Sequence, residues 1–160
     1  MVTVMNDFDF LHGTWTVHHR RLRDRMVGSD DWEEFDGTTV CAPILGGLGN
    51  FEQVWMPARN AIGATLRLFD RDSEQWSIYW ASSLTGRLEP PVTGRFHDGV
   101  GTFLGDDVHD GQPVRVRFIW DEISPTTARW NQALAPADTD NWETNWVMRL
   151  TRVADATPNR

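Results

Sequence analysis

The sequence contains no lysine, and all 15 of its basic residues are arginine. Schiff-base chemistry is therefore excluded, because it needs a lysine amine. There is one cysteine, Cys41, so an internal disulfide is excluded as well. A chain without disulfides is typical of a reducing compartment, and we expect a cytoplasmic protein. Cys41 belongs to an apolar strand pattern, which favours an inert core thiol over a nucleophile.

Long apolar runs and secretory features are also missing. No stretch approaches the ~20 apolar residues that a membrane-spanning helix needs. The first residues form neither a basic segment nor an apolar one, so we expect no signal peptide. The net charge is −8, which argues against nucleic acid as a partner. We expect a protein that binds neither nucleic acid nor a membrane.

Short β-rich segments between turn signals make up most of the chain, with no amphipathic helix between them. Asp98-Gly99 and Asp110-Gly111 are typical of tight hairpins, since both residue types tolerate positive φ. A meander of ten antiparallel strands needs closure, or two sheets, to hide its edges. The ten predicted strands cover residues 14–22, 32–42, 50–56, 62–70, 75–82, 92–97, 101–105, 113–121, 126–134 and 142–152.

The start and the end of this strand series carry a recognisable pattern. Gly13-Thr14-Trp15 opens the first strand after a short apolar segment, and Thr151-Arg152 ends the last one. This arrangement resembles the calycin superfamily, which includes lipocalins and fatty-acid-binding proteins. The resemblance implies structural roles for Gly13, Trp15 and Arg152, in which the indole plugs the barrel floor and the guanidinium stacks on it.

We therefore predict an all-β fold, a single antiparallel up-and-down barrel of about ten strands. It is calycin-like or lipocalin-like, with a short N-terminal 3-10 or helical turn. The barrel domain is expected over residues 1–153 and a flexible tail over residues 154–160.

Nearly the whole chain also resembles a bacterial family of lipocalin-like barrels catalogued as a domain of unknown function. That family implies a calycin-like barrel and no established activity. The more distant nitrobindins bind haem through a histidine late in the chain, but no histidine follows His109 here. We expect no haem, no other cofactor and no metal. The match is carried by Asp9-Phe10-Leu11-His12-Gly13-Thr14-Trp15, Gly46-Gly47, Leu66-Arg67-Leu68-Phe69-Asp70, Trp76-Ser77-Ile78-Tyr79-Trp80, Gly94-Arg95-Phe96, Gly99, Gly105-Asp106-Asp107, Arg117-Phe118-Ile119-Trp120, Arg129-Trp130-Asn131-Gln132-Ala133 and Trp142-Glu143-Thr144-Asn145-Trp146.

Candidate interior residues follow from strand alternation. If Trp15 faces inward, then Val17, His19 and Arg21 do so too, because alternate residues share a face. His18 and His19 point to opposite faces and cannot chelate one metal ion. A structural role is the favoured interpretation of the inward histidine, ahead of an acid–base role. In the last strand, an inward Arg152 implies that Trp142, Trp146, Met148 and Leu150 also face inward.

The faces of the middle strands are ambiguous. Trp76, Ile78 and Trp80 alternate with Ser77 and Tyr79 in one strand, and Arg67, Arg115 and Arg117 alternate with apolar residues in two others. An exposed arginine would aid solubility, whereas a buried one needs a carboxylate or an anionic ligand. The possible carboxylate partners are Glu34, Asp36, Glu52 and Glu143. An apolar outer face would favour a homodimer.

The nine tryptophans point to the function, because large flat side chains suit packing and aromatic ligands. A ten-stranded barrel is also wider than one layer of side chains fills. We predict a binding module for a small apolar or aromatic metabolite, with or without an anionic group. The expected ligand-binding residues are Val17, His19, Arg67, Tyr79, Arg117, Trp146 and Met148.

Two alternatives stay open at this point. One is a barrel filled by its own side chains. The other is a cofactor-free isomerase, cyclase, lyase or hydrolase, with His19, Tyr79 and Arg117 as candidate catalytic residues beside a carboxylate. A His–carboxylate pair next to Tyr or Arg would favour catalysis, and an isolated polar group would favour binding.

Overall fold

A closed barrel of ten antiparallel strands forms the computed structural model, which describes residues 6–154. Each strand pairs with the next along the chain, and β1 pairs with β10, so no edge is left open. The predicted fold class is confirmed. The strands are β1 Gly13–Leu22, β2 Trp32–Ile44, β3 Gly49–Met56, β4 Ala61–Asp70, β5 Gln75–Ser82, β6 Val92–His97, β7 Val100–His109, β8 Gln112–Asp121, β9 Thr127–Pro136 and β10 Glu143–Ala154.

Within residues 6–154 the helical segments are short 3-10 turns: Asp9–Leu11 precedes β1, Leu45–Gly47 follows β2 and Pro57–Arg59 follows β3. None of the helical segments within residues 6–154 has the length and apolar character needed to cross a membrane. The proposed tail lies outside the described residues from position 155 onward, and β10 includes residue 154.

Two hairpin turns form where Asp-Gly pairs predict them. Asp98 and Gly99 have φ values of 50° and 79°, and Asp110 and Gly111 have 48° and 76°. β7 runs four residues further than expected, because the acidic segment over residues 106–109 pairs with the start of β8.

The floor of the barrel is closed by Trp15, which is fully buried. Its indole N–H donates to the Leu11 carbonyl at 2.9 Å, which ties the 3-10 turn to β1. The Arg152 guanidinium lies 4.2 Å from the centre of the indole ring. It also donates to the His12 carbonyl at 2.6 Å. The same guanidinium therefore stacks on the Trp15 indole and hydrogen-bonds to the backbone that leads into β1. Gly13 opens β1 with a φ of 117°, a conformation that favours glycine.

Strand alternation places β1 as predicted, with Trp15, Val17 and His19 inside. In the last strand, the residues that precede Trp146 do not face the side of the sheet that the sequence predicts. A bulge at Asn145, where the register between β10 and β9 shifts, reverses the alternation. Trp142 was expected inside, but it instead lies beneath Arg117, 4.5 Å from the guanidinium.

Polar and apolar residues exchange their usual sides on β3 and β4. Asn50 and Glu52 point into the barrel and are at most 5% exposed, whereas Phe51 between them is 41% exposed. Arg67 is likewise inside and 3% exposed, while its neighbours on β4 face outward. This inversion puts a polar cluster inside the barrel and an apolar surface outside it.

Candidate functional site

The barrel interior contains a cavity of about 60 Å³ above the floor. A few polar groups interrupt its apolar wall, as is usual in small-molecule sites. The wall consists of Val17, Val54, Ile78, Trp80, Phe118, Trp120, Trp130, Trp146, Met148 and Leu150, and the polar groups are Thr39, Glu52, Thr65, Arg67 and Gln132.

A buried ion pair dominates the polar side of the cavity. Arg67 donates through Nη2 to Glu52 Oε1 at 2.6 Å and through Nη1 to Asn50 Oδ1 at 3.0 Å. The Thr39 hydroxyl lies within hydrogen-bonding distance of the second Glu52 oxygen. Because the pair is removed from water, its charges depend on each other for compensation. The pair is therefore electrically balanced before any ligand enters.

Two N–H donors at this end of the cavity meet no acceptor among the described residues. They are Arg67 Nε and Trp120 Nε1, and both atoms are buried. Trp120 is 1% exposed, and its ring centre lies 5.6 Å from the Arg67 guanidinium carbon. A buried donor without a partner costs about 1–3 kcal/mol. The two donors thus mark a place where an acceptor from a bound molecule would be stabilised.

His19 is also fully buried, one layer nearer the open end of the barrel, which we call the mouth. The Trp146 indole N–H donates to its Nδ1 at 3.1 Å, so Nδ1 is an acceptor and the ring proton sits on Nε2. Burial, with the nearby His18 and Arg59 charges, lowers the pKa of His19 to about 4. The imidazole is therefore neutral at pH 7 and fixes the orientation of the Trp146 ring.

Two glycines make room for aromatic rings in the interior. A Cβ on Gly63 would lie 1.9 Å from the Trp80 ring, and one on Gly37 would lie 3.1 Å from His19 Nε2. These close approaches let Trp80 and His19 lie flat against the wall. The ring positions of Trp80 and His19 therefore depend on glycine, which has no side chain, at positions 63 and 37.

The structure separates the predicted ligand-binding residues into three groups. Val17, Arg67, Trp146 and Met148 line the cavity. His19 lies behind Trp146 and touches the cavity only through it. Tyr79 and Arg117 point away from the interior, because Ile78 and Phe118 beside them occupy the inward positions.

The other sequence candidates have local explanations. His18 is exposed and hydrogen-bonds to Glu34 and Asp36, which raise its pKa. Burial raises the pKa of the Cys41 thiol to about 12, so it stays protonated at neutral pH. Across residues 6–154, no three His, Cys, Asp or Glu side chains cluster closely enough to hold a metal ion.

Sequence reasoning missed most of the polar end of the site. It named Glu52 only as one of four possible partners for an arginine, and it did not single out Asn50, Thr39 or Trp120. The available signal was the apolar character of Phe51 and Trp55, which pointed to the wrong face of β3. Only the closed barrel shows that those two aromatic residues lie outside.

Comparison with known proteins identifies the fold but no family. No protein-family model and no curated protein matches the sequence. Among solved structures, the S-type phycobiliprotein lyase CPES from Guillardia theta superposes with a TM-score of 0.59. The alignment covers 96% of this chain and 94% of that one, at 10% sequence identity. At that identity the likeness supports the barrel fold alone and says nothing about activity.

Proposed function

We propose that this barrel binds one small, largely apolar molecule in its cavity. A neutral hydrogen-bond acceptor of that molecule would bind at the end of the cavity formed by Arg67 and Trp120. The observation that carries the proposal is the pair of buried donors, Arg67 Nε and Trp120 Nε1, which border a cavity and have no acceptor among the described residues. Native proteins rarely leave such groups unsatisfied. A carbonyl, ether or hydroxyl oxygen can accept a hydrogen bond from either donor.

The charge balance supports a neutral acceptor at this end. Glu52 already compensates Arg67 at 2.6 Å. A second anion would face the Glu52 carboxylate in a region of low effective dielectric, where repulsion is strong. An anionic end of the ligand therefore belongs elsewhere in the barrel.

The size of the cavity restricts the ligand further. An engineered cavity that binds benzene measures about 150 Å³, and the present one is less than half of that. A slender chain enters most easily, and an aromatic ring enters once a wall side chain moves. Met148 is the most adaptable wall residue, because its thioether chain has three rotatable bonds.

Binding has better support than catalysis. The described partner of the His19 ring is the Trp146 indole, not a carboxylate. Tyr79 and Arg117 lie outside the cavity, so the proposed acid–base group does not converge on one point. A cofactor-free enzyme remains the alternative, and it would have to work through Glu52 and Arg67.

Ligand binding is testable with the protein's own tryptophans. Titration with fatty acids, aromatic acids and polyketide-like compounds is expected to shift or quench the fluorescence, with a midpoint in the micromolar range, or about −8 kcal/mol. Trp120→Phe removes one of the two donors and is expected to weaken an oxygen-bearing ligand about tenfold, measured by calorimetry. Trp32→Phe is the matched control, because Trp32 stacks under Arg20 away from the cavity. If no compound changes the fluorescence, the proposal is wrong.

We also propose that the chain forms a homodimer through its outer apolar face, defined by Val40, Phe51, Ile62, Leu66 and Tyr79. Cross-strand pairing aligns three of these residues in one row, Phe51–Leu66–Tyr79, over β3, β4 and β5. Val40, Phe51 and Ile62 are each more than 40% exposed. A contiguous apolar patch of this kind is typical of a protein–protein contact.

Sedimentation equilibrium tests the dimer. The wild-type protein is expected to sediment with twice the mass of the chain, and Leu66→Arg is expected to sediment as a monomer. Leu104→Arg provides the control, because Leu104 is 41% exposed but lies on β7, outside this face. A wild-type mass equal to one chain at all concentrations would contradict the proposal.

Other expectations from the sequence stand as proposals. They are a cytoplasmic location, membership of the bacterial lipocalin-like family, a flexible C-terminal tail, and independence from metal, cofactor, nucleic acid and membrane.

A further inference from the structure

Three arginines meet at the mouth of the barrel, and we call them the mouth arginines. Arg21 lies near the end of β1, Arg25 in the loop that follows it, and Arg59 in the 3-10 turn between β3 and β4. Arg21 and Arg25 lie over the Trp146 ring, at 5.2 Å and 5.9 Å from its centre. Arg59 lies 6.0 Å from the centre of the Phe35 ring.

Their positive charge is only partly compensated. Glu33 pairs with Arg59 and lies 3.8 Å from Arg21. Glu143, the other carboxylate of this region, accepts a hydrogen bond from the backbone N–H of Met26 at 2.7 Å. Arg25 makes no ion pair with any residue that the structure describes. Three guanidinium groups thus share one directly paired carboxylate.

Several N–H groups of the mouth arginines are buried without an acceptor. They are Arg21 Nε, Arg25 Nε and Arg25 Nη2, counted over residues 6–154. Burial, followed by the repulsion between the arginines, lowers the pKa of Arg25 to about 10 and also lowers that of Arg21. Buried guanidinium groups are normally paired. The mouth therefore has the electrostatics of an anion-binding site.

Trp146 links the mouth to the cavity. Two of the mouth arginines, Arg21 and Arg25, lie over the Trp146 ring, and Trp146 also lines the cavity. An anionic group held by Arg21 and Arg25 would lie next to the point where an apolar chain enters. Planar guanidinium forks suit carboxylates and phosphates, which accept two parallel hydrogen bonds.

We propose that the mouth arginines bind the anionic head group of the ligand whose apolar body occupies the cavity. This inference rests on the proposed function and narrows the ligand to an amphipathic organic acid, a carboxylate or a phosphate ester. With the neutral acceptor expected at Arg67 and Trp120, the best-fitting class is an apolar acid with a carbonyl, ether or hydroxyl oxygen at its far end.

Matched probes that differ only in the head group test this inference. Decanoate, decyl phosphate and decanol are titrated into the wild-type protein by calorimetry. Both anions are expected to bind at least tenfold more tightly than decanol, and the tighter of the two identifies the head group. Arg25→Gln is expected to remove most of that preference and to leave decanol binding unchanged, whereas Arg25→Lys retains part of it.

Arg23→Gln is the control for a general loss of positive charge. Arg23 belongs to the same loop but is exposed and pairs with Asp31 at 2.8 Å. It is expected to change binding of either anion by less than twofold. Equal affinity for anions and decanol, or equal effects of Arg25→Gln and Arg23→Gln, would overturn the mouth site and leave the interior site standing. Failure of all three probes to bind would overturn both.

Discussion

Replacing Glu52 with glutamine is expected to destabilise the barrel by about 3–5 kcal/mol, the usual cost of breaking a buried ion pair from one side. Glu52 and Arg67 are 5% and 3% exposed and meet at 2.6 Å. The substitution keeps the size and shape of the side chain but removes the charge that compensates the guanidinium. The free energy of unfolding, measured by urea denaturation, gives the effect directly.

Glu34→Gln is the matched control for this experiment. Its carboxylate also contacts a side chain of another strand, the His18 imidazole, at 2.9 Å, but it lies in solvent. An exposed pair contributes at most about 1 kcal/mol. A similar loss in both variants would contradict the idea that burial makes the Glu52–Arg67 pair costly to break.

A double replacement separates stability from function. Glu52→Leu combined with Arg67→Met removes both charges, and such changes are often neutral or stabilising. We therefore expect the double variant to recover most of the stability lost in Glu52→Gln. Since it lacks the Arg67 donor, it is expected to lose the preference for ligands that carry a neutral oxygen. If the Glu52–Arg67 pair can be replaced without loss of stability, ligand binding explains its presence better than a contribution to folding does.

The inverted pattern on β3 and β4 explains why the sequence revealed the fold more fully than the site. Strand positions depend on turn residues such as Asp98 and Gly99, whose backbone preferences are local. Strand faces depend on which side is buried, and a shift of one residue exchanges them. For Arg67, the usual rule that apolar neighbours face inward gives the wrong face, because Leu66 and Leu68 beside it face outward.

A local irregularity also escaped sequence reasoning. The bulge at Asn145 adds one residue to β10, and the residues before it change faces. Trp142 precedes β10 and lies 4.5 Å from the Arg117 guanidinium instead of in the expected interior, whereas Trp146 and Met148 line the cavity. The burial of Arg25 could not be predicted from the sequence either, because loop residues follow no periodic pattern that indicates which of them are buried. Its environment follows only from the fold of the loop over the barrel mouth.

The stability of the protein is expected to fall by about 3 kcal/mol between pH 6.5 and pH 4 on account of His19 alone. The pKa of His19 is lowered from 6.5 to about 4 in the folded protein, chiefly by burial. Below pH 6.5 the unfolded chain binds a proton at this position and the folded chain does not. Each step downward in pH therefore favours unfolding, until the folded imidazole is itself protonated near pH 4.

The neighbours of His19 make the sign of this effect testable. His18 and Arg59 oppose protonation and Asp36 favours it, while Trp146 donates to Nδ1 in the neutral state. His19→Gln keeps an acceptor for the indole and cannot be protonated in this range. The difference in unfolding free energy between wild type and His19→Gln is expected to shrink as the pH falls from 6.5 to 4. Carboxylates that titrate in the same interval are common to both proteins and cancel.

His18→Gln provides the control, because the pKa of His18 is raised by Glu34 and Asp36. A raised pKa stabilises the folded state at low pH and loses that contribution as the pH rises through it. Removing His18 should leave most of the acid-induced loss in place, because burial is the chief cause of the lowered His19 pKa. Removing His19 should abolish its contribution to that loss. Denaturant titrations at several pH values and an NMR titration of the His19 ring provide the two measurements. A His19 ring that titrates near pH 6.5 would contradict a buried, neutral imidazole, and with it the fixed orientation of Trp146 between the cavity and the mouth.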